Sequence, residues 1–355
     1  MSVNPARDKM QALVWEGPRE MALKEMPLPI LAPDEVLIEV AYCGICGAEL
    51  SGYLGQSALR KPPLVMGHEF SGTIVALGED ATAHHPALEL GARVTADPMI
   101  FDATCAYCMG GQNHLCLNRS LVGAARPGAF ARYVAVPGRV VFLLPDDVEL
   151  RMGAMVEPTA CAVRIASLAT GVNDGTALII GAGTIGLLTL QVLLHGGANR
   201  VFVADTNAKR LAFATELGGE ALDPLEVDVV EEVHAAIGDT GVYEGVDFAI
   251  DAVGKAVTRE QCVSAVRRGG QVLLSGLHEE ASAMPVADMI RREITAQGTY
   301  CYSPGDFSQA IKLIDQGAIT FGDWVVDAPL AEGGAWFDRL VDGPGGAVKV
   351  LLQPQ

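Results

Sequence analysis

Apolar positions change rhythm once along the chain. From Met10 to Leu144 they come in short runs, QALVWE, EVLIEVAY, GTIVALG, ARVTADP and YVAVP, separated by Gly and Pro. Runs of this length, rich in branched side chains and bounded by turn residues, predict strands and an irregular β-rich domain. Near Leu150 the spacing becomes helical, from Met152 through Leu168. TALIIGAGTIGLLTLQVLLHGG then supplies an apolar run, a Gly turn and an apolar helix. A strand that is apolar on both faces is what a parallel sheet buries. RVFVAD precedes AKRLAFATELG, VDFAID precedes a helical stretch from Val257 to Arg268, and GQVLLSG precedes another. This alternation predicts an α/β domain with a doubly wound parallel sheet, ending near Thr299. From Tyr300 to Gln355 a helix (Asp306 to Gln316) and a closing strand, AVKVLL, predict a return to the first domain. The chain shows no internal repeat, low-complexity tract or long charge block.

Length and composition fit this picture. A chain of 355 residues exceeds the usual size of one core, so two domains are expected. Half the residues are apolar and 40 are Gly, which suits a packed α/β enzyme and argues against disorder. A formal charge of −18 and a pI near 4.7 oppose binding to nucleic acid backbones and anionic lipid. No apolar run reaches the roughly 20 residues that span a bilayer, and the polar start, Met1 to Lys9, lacks a signal-peptide core. The expectation is a cytoplasmic protein with small-molecule partners. Three of the eight cysteines crowd into Cys105, Cys108 and Cys116, a spacing that in a reducing compartment reads as metal binding.

A nucleotide site is written into the second domain. Gly181, Gly183 and Gly186, with Thr184 and Ile185 between them, form G-x-G-x-x-G after a strand and at the start of a helix. The first Gly permits the tight turn, the second lets backbone approach a pyrophosphate, and the third allows close helix packing. Asp205 ends the next strand, where a carboxylate accepts hydrogen bonds from both ribose hydroxyls of NAD and repels the phosphate of NADP. Arg210 is grouped with these cofactor residues. Asp251, Val253 and Gly254 end another strand, and Gly276 with Leu277 a later one. Such loops line a nucleotide or serve as plain turns.

Three further pieces offer metal ligands: CGICGAEL from Cys43 to Leu50, GHE from Gly67 to Glu69, and VEP from Val156 to Pro158. Zinc catalysis needs about three N, O or S ligands and an open position. In this order, and followed by the Gly-rich turn, these pieces make a chain that resembles the zinc-containing medium-chain dehydrogenase/reductase family, in its polyol (sorbitol/threonine-type) dehydrogenase branch. The likeness covers nearly the whole chain. It implies a GroES-like catalytic domain over residues 1–160, completed by 300–355, and a Rossmann NAD-binding domain over 161–299. It also implies a catalytic zinc surrounded by Cys46, His68, Glu69 and Glu157, the two glutamates ligating directly or through water, with Cys43 in the core. Cys105, Cys108 and Cys116 match the second, third and fourth cysteines of the family's structural zinc lobe, and Asp102 stands in place of the first. A carboxylate oxygen also ligates zinc, so an Asp-Cys-Cys-Cys site is expected; His114 is an alternative substitute ligand, less favoured than a surface role.

Two departures stand out against the family. In related alcohol dehydrogenases a Ser or Thr two residues after the catalytic Cys starts a proton relay, and a His lies five after it; here the positions hold Ala48 and Ser51. Ser51, Glu49, Tyr53 or a water are the candidates to carry the proton, Glu49 being alternatively a structural carboxylate. Cys301 stands where similar polyol dehydrogenases often carry Arg, which weakens the assumption of a standard sugar-alcohol substrate. Cys161 and Cys262 read as core. The resemblance implies NAD-linked interconversion of a secondary alcohol (polyol, cyclitol or amino-alcohol type) and a ketone, by a homodimer or homotetramer. A reductase of an aldehyde or activated double bond, and a nucleotide-binding protein without turnover, are the alternatives.

Overall fold

In a computed structural model, residues 9–83, 85–238, 244–343 and 345–354 are described. The polar start, Met1 to Asp8, lies outside them. The strand Glu35–Gly44, buried along most of its length, is the spine of the first unit. It pairs antiparallel with Glu69–Leu77, Tyr133–Pro137 and Lys349–Gln353. Among the described residues the sheet built on it has seven strands, extending through Arg93–Ala96 to Val141–Leu143 on one side and Val325–Pro329 on the other. Its core includes Val36, Ile38, Val40, Phe70, Phe130 and Phe337. Alternation in EVLIEVAY and GTIVALG thus marks strands whose inward side chains meet in one cluster.

The second unit holds six parallel strands among the described residues. Their order is Glu220–Leu222, Arg200–Ala204, Thr176–Ile180, Val246–Asp251, Val266–Leu274 and Thr295–Gly298. Chain order reverses direction between Thr176–Ile180 and Val246–Asp251, which makes the carboxyl ends of these strands the place for a ligand. Helix Thr184–His195 is apolar nearly all round, and Gly186 through Leu193 are buried. The chain enters this unit after Glu157 and leaves it at Ser303; Gly317–Ile319 also belongs to it.

Three elements had no sequence signal strong enough to read. Glu20–Pro27 pairs with Lys9–Gly17, yet none of its residues is fully buried, so it lacks a hydrophobic alternation. Helix Gly333–Asp342 buries only Gly333 and Phe337. Strand Val325–Pro329 is five residues long and closes on Pro. The helical stretch from Met152 through Leu168 is two helices, Leu150–Gly153 and Val156–Leu168. No helix among the described residues is long and apolar enough to cross a membrane.

Candidate active site

Sheet register assembles the first cluster. Gly44 stands opposite Glu69 in the antiparallel pair, so Cys46, two residues beyond one strand end, arrives beside His68 and Glu69 at the start of the other. One ligand atom from each of Cys46, His68 and Glu69 lies within 4.8 Å of the others. Tetrahedral zinc with bonds of about 2.0 to 2.3 Å spaces its ligands by roughly 3.5 Å, so this thiol, imidazole and carboxylate set fits the ion. Glu157 is also buried but lies outside that group.

Glu49 holds the cluster from behind. It is fully buried. Its Oε2 accepts the Cys46 N–H at 3.0 Å, and its Oε1 accepts the Gly67 N–H at 2.7 Å and faces His68 Nδ1 at 2.9 Å. Burial disfavours the charged carboxylate, yet His68, Arg60 and the Cys46 N–H outweigh it and hold Glu49 below the usual range. Burial likewise opposes a charged His68, and Glu49 and Cys46 reverse that effect to raise it well above its ordinary value. With Nδ1 engaged, Nε2 is the ring nitrogen left for a metal, which on binding displaces the proton.

This geometry favours the structural reading of Glu49 over the relay one, because both oxygens have partners and the side chain is fully buried. Tyr53 is also spent: it is buried, donates to Asp338 at 2.6 Å, and is held protonated by burial and by that carboxylate. Ser51 and Ala48 are exposed on the helix Gly47–Tyr53. Cys43 is buried, and burial pushes its thiol well up, as suits a core residue.

Sequence reasoning passed over two buried cations. Lys349 is 2% exposed and donates through Nζ to Glu69 Oε2 and to the Ile45 carbonyl at 3.1 Å. Burial opposes its charge, and Glu69, Cys46 and Glu157 outweigh it. Arg60 is buried, donates to the Ala48 carbonyl at 3.1 Å, and leaves Nε and Nη2 without a hydrogen-bond partner. The available signal was a single lysine inside the apolar run AVKVLL. A charge there needs a buried partner.

In the second unit Gly181 has φ +107°, and a Cβ on Gly186 would fall 1.8 Å from the Gly181 carbonyl, so glycine is required at these two positions of the turn. Gly183 caps the helix that begins with Thr184, Ile185 and Gly186. Asp205 follows the neighbouring strand, its Oδ2 accepting the Ala182 N–H and its Oδ1 the Asn207 N–H, both at 2.8 Å. Arg210 Nη1 lies 3.9 Å from Asp205. Asp205, Arg210, Val253 and Gly181 line a groove of about 440 Å³. Asp251 is buried and accepts the Val253 and Gly254 N–H groups, so it shapes that loop from inside. Gly254 and Gly276 meet backbone to backbone, and Leu277 is exposed. Cys262 is buried, Cys161 only half-buried, and Cys301 adopts φ +47°.

The second cluster is Asp102, Cys105, Cys108 and Cys116, again with one ligand atom each within 4.8 Å of the others. Cys116 Sγ accepts the Asp102 and Asn118 N–H groups at 3.4 Å, which fix the sulfur within the loop. Asp102 Oδ1 accepts the Thr104 and Cys105 N–H groups, and these donors hold its carboxyl well below the usual range. The set of three thiols and a carboxylate fits a closed zinc shell. His114 is outside this group and, contrary to a surface role, only 4% exposed.

Comparison with known proteins agrees with both halves. Residues 32–146 match the alcohol dehydrogenase GroES-like domain, and residues 184–316 match the zinc-binding dehydrogenase family. D-arabitol-phosphate dehydrogenase of Enterococcus avium is 32% identical over 343 residues, 95% of each chain. A zinc-binding dehydrogenase of Sinorhizobium meliloti 1021, solved with NADP bound, superposes with a TM-score of 0.89 at 32% identity, covering 98% of this chain and 100% of that one. For 2R,3R-butanediol dehydrogenase of Bacillus subtilis the TM-score is 0.87 at 28% identity, with the same coverage. A GroES-like domain joined to a Rossmann domain, a thiol-imidazole-carboxylate cluster in the first and a Gly-rich nucleotide turn in the second place this chain in the zinc-containing medium-chain dehydrogenase/reductase family, among the polyol dehydrogenases.

Proposed function

We propose that the protein is a zinc-dependent, NAD-linked dehydrogenase interconverting a secondary alcohol, of polyol, cyclitol or amino-alcohol type, and a ketone. The observation that carries this reading is the convergence of Cys46, His68 and Glu69 in a chain that also bears the Gly181 turn and Asp205. Cys46, His68 and Glu69, with Glu157 nearby, would hold the catalytic zinc. Asp102, Cys105, Cys108 and Cys116 would hold a second, structural zinc. When bound, the first zinc supplies a Lewis acid for the reacting oxygen and the nicotinamide supplies or accepts the hydride.

The protein's own residues do the rest. Glu49 fixes the His68 tautomer and ring orientation and pins Cys46 through its N–H. The Gly181 to Gly186 turn receives the pyrophosphate at the helix N-terminus, and Asp205 discriminates in favour of NAD. Of the side chains considered for the proton, Ser51 is the exposed hydroxyl that is not committed elsewhere, so it passes the proton to solvent in place of the hydroxyl missing at Ala48. The relatives include enzymes named for a sugar-alcohol phosphate and for a diol, which supports a substrate with neighbouring hydroxyls. The charge of −18 favours small-molecule partners over nucleic acid or membrane surfaces, and the family likeness favours a cytoplasmic homodimer or homotetramer.

Steady-state assays with a panel of polyols, amino alcohols, aldehydes and enones test the reaction class. The expected result is NAD-linked oxidation of secondary alcohols with the highest kcat/KM. Turnover confined to aldehydes or enones would favour the reductase reading instead.

A further inference from the structure

Lys349 is a buried cation that holding zinc does not by itself require. Its strand, Lys349–Gln353, pairs with the strand that leads to Cys46, and the Ile45 N–H donates to the Val350 carbonyl at 2.9 Å. The backbone carrying Lys349 is therefore tied to the backbone carrying Cys46. The Nζ meets Glu69 Oε2, and the same oxygen lies against Gly44, where a Cβ would fall 2.2 Å from it. One oxygen of Glu69 is thus held by an ammonium group and abuts a backbone that has no room for a side chain.

We propose that Lys349 is a positioning residue that withholds Glu69 from full ligation and so keeps a position of the Cys46–His68 centre open for substrate. The argument rests on charge and placement. With the buried Glu49 carboxylate offset by Arg60, a thiolate at Cys46 and carboxylates at Glu69 and Glu157 bring three negative charges against the two positive charges of zinc. A buried surplus anion is costly unless paired. Lys349 supplies the balancing charge and fixes the oxygen it pairs with. Without the ammonium group, the cation left for Glu69 is the metal itself. The carboxylate then closes on it, zinc is held more tightly, and turnover falls. A lysine with a merely structural role predicts the reverse, a looser centre that loses zinc faster.

This inference rests on zinc binding at Cys46, His68 and Glu69, and one experiment separates the two. Zinc release from the full-length enzyme to a chelator is followed in time, and the phase belonging to this centre is the one that Cys46→Ala removes. In Lys349→Met that phase is expected to slow by about ten-fold or more while kcat falls by a similar factor. In a Glu69→Gln background the same substitution changes release by less than about two-fold, because the carboxylate it acts through is gone. Circular dichroism checks folding, and Lys349→Gln provides the same reading if the Met variant does not fold. Release that is unchanged or faster in a folded variant overturns the positioning role. A wild type with no Cys46-dependent zinc overturns the metal centre and the inference with it.

Discussion

The two candidate metal-ligand clusters of this molecule are built on opposite plans. Asp102, Cys105, Cys108 and Cys116 come from one short stretch of chain, and their support is local: backbone N–H groups on Asp102 and on Cys116 Sγ. Cys46, His68 and Glu69 come from separate strand ends, and their support is distant: Glu49 behind His68, and Lys349, some 280 residues away in sequence, against Glu69. A closed structural site needs four donors at fixed spacing, which a loop can provide. An open catalytic site must leave a coordination position free while balancing buried charge, and that takes residues from several elements. The difference teaches that the proposed catalytic cluster depends on buried groups outside the ligand set, Glu49 and Lys349, for its placement.

Breaking the comparison at its centre has the largest effect. Cys46→Ala is expected to lower kcat/KM on the order of a thousand-fold, the several kcal/mol that Lewis-acid catalysis contributes, while NAD affinity by fluorescence titration stays within about two-fold. The cofactor end comes next. Asp205→Ser removes a charged hydrogen-bond acceptor for the ribose and the repulsion of a phosphate, so the preference for NAD over NADP should fall by roughly a hundred-fold in kcat/KM ratios. Glu49→Gln keeps the shape and removes the charge behind His68. It is expected to cost between about ten- and a hundred-fold in zinc affinity, measured by chelator competition, and the loss should be confined to the catalytic centre. The smallest change in turnover belongs to the local cluster. Asp102→Ala should leave kcat near wild type at low temperature while lowering the melting midpoint by about 5 °C, because its metal pins a loop and takes no part in the chemistry.

What was legible in the sequence divides along the same line. The parallel sheet could be read because its strands are apolar on both faces, as in TALII and RVFVA. The lobe could be read because its donors sit at short, regular spacing. Strand Glu20–Pro27 and helix Gly333–Asp342 could not, since each buries too few residues to leave a period. At the candidate catalytic centre the ligands are visible as short motifs, but the sequence leaves Glu49 open between a proton carrier and a structural carboxylate. Its true surroundings, the N–H groups of Cys46 and Gly67 and the ring of His68, depend on how Gly44 registers with Glu69. Lys349 and Arg60 were passed over for the same reason: the partners that permit their burial are far away in the chain.

The central claim is that zinc sits at Cys46, His68 and Glu69 and serves the dehydrogenase reaction, while a separate zinc sits in the lobe. Counting zinc per chain by elemental analysis in the wild type, Cys46→Ala and Cys108→Ala tests it most directly. The account predicts about two, one and one, with the remaining zinc in Cys46→Ala accompanied by kcat/KM reduced on the order of a thousand-fold. A wild type without zinc, or a Cys46→Ala protein that keeps both zincs and full activity, would contradict it.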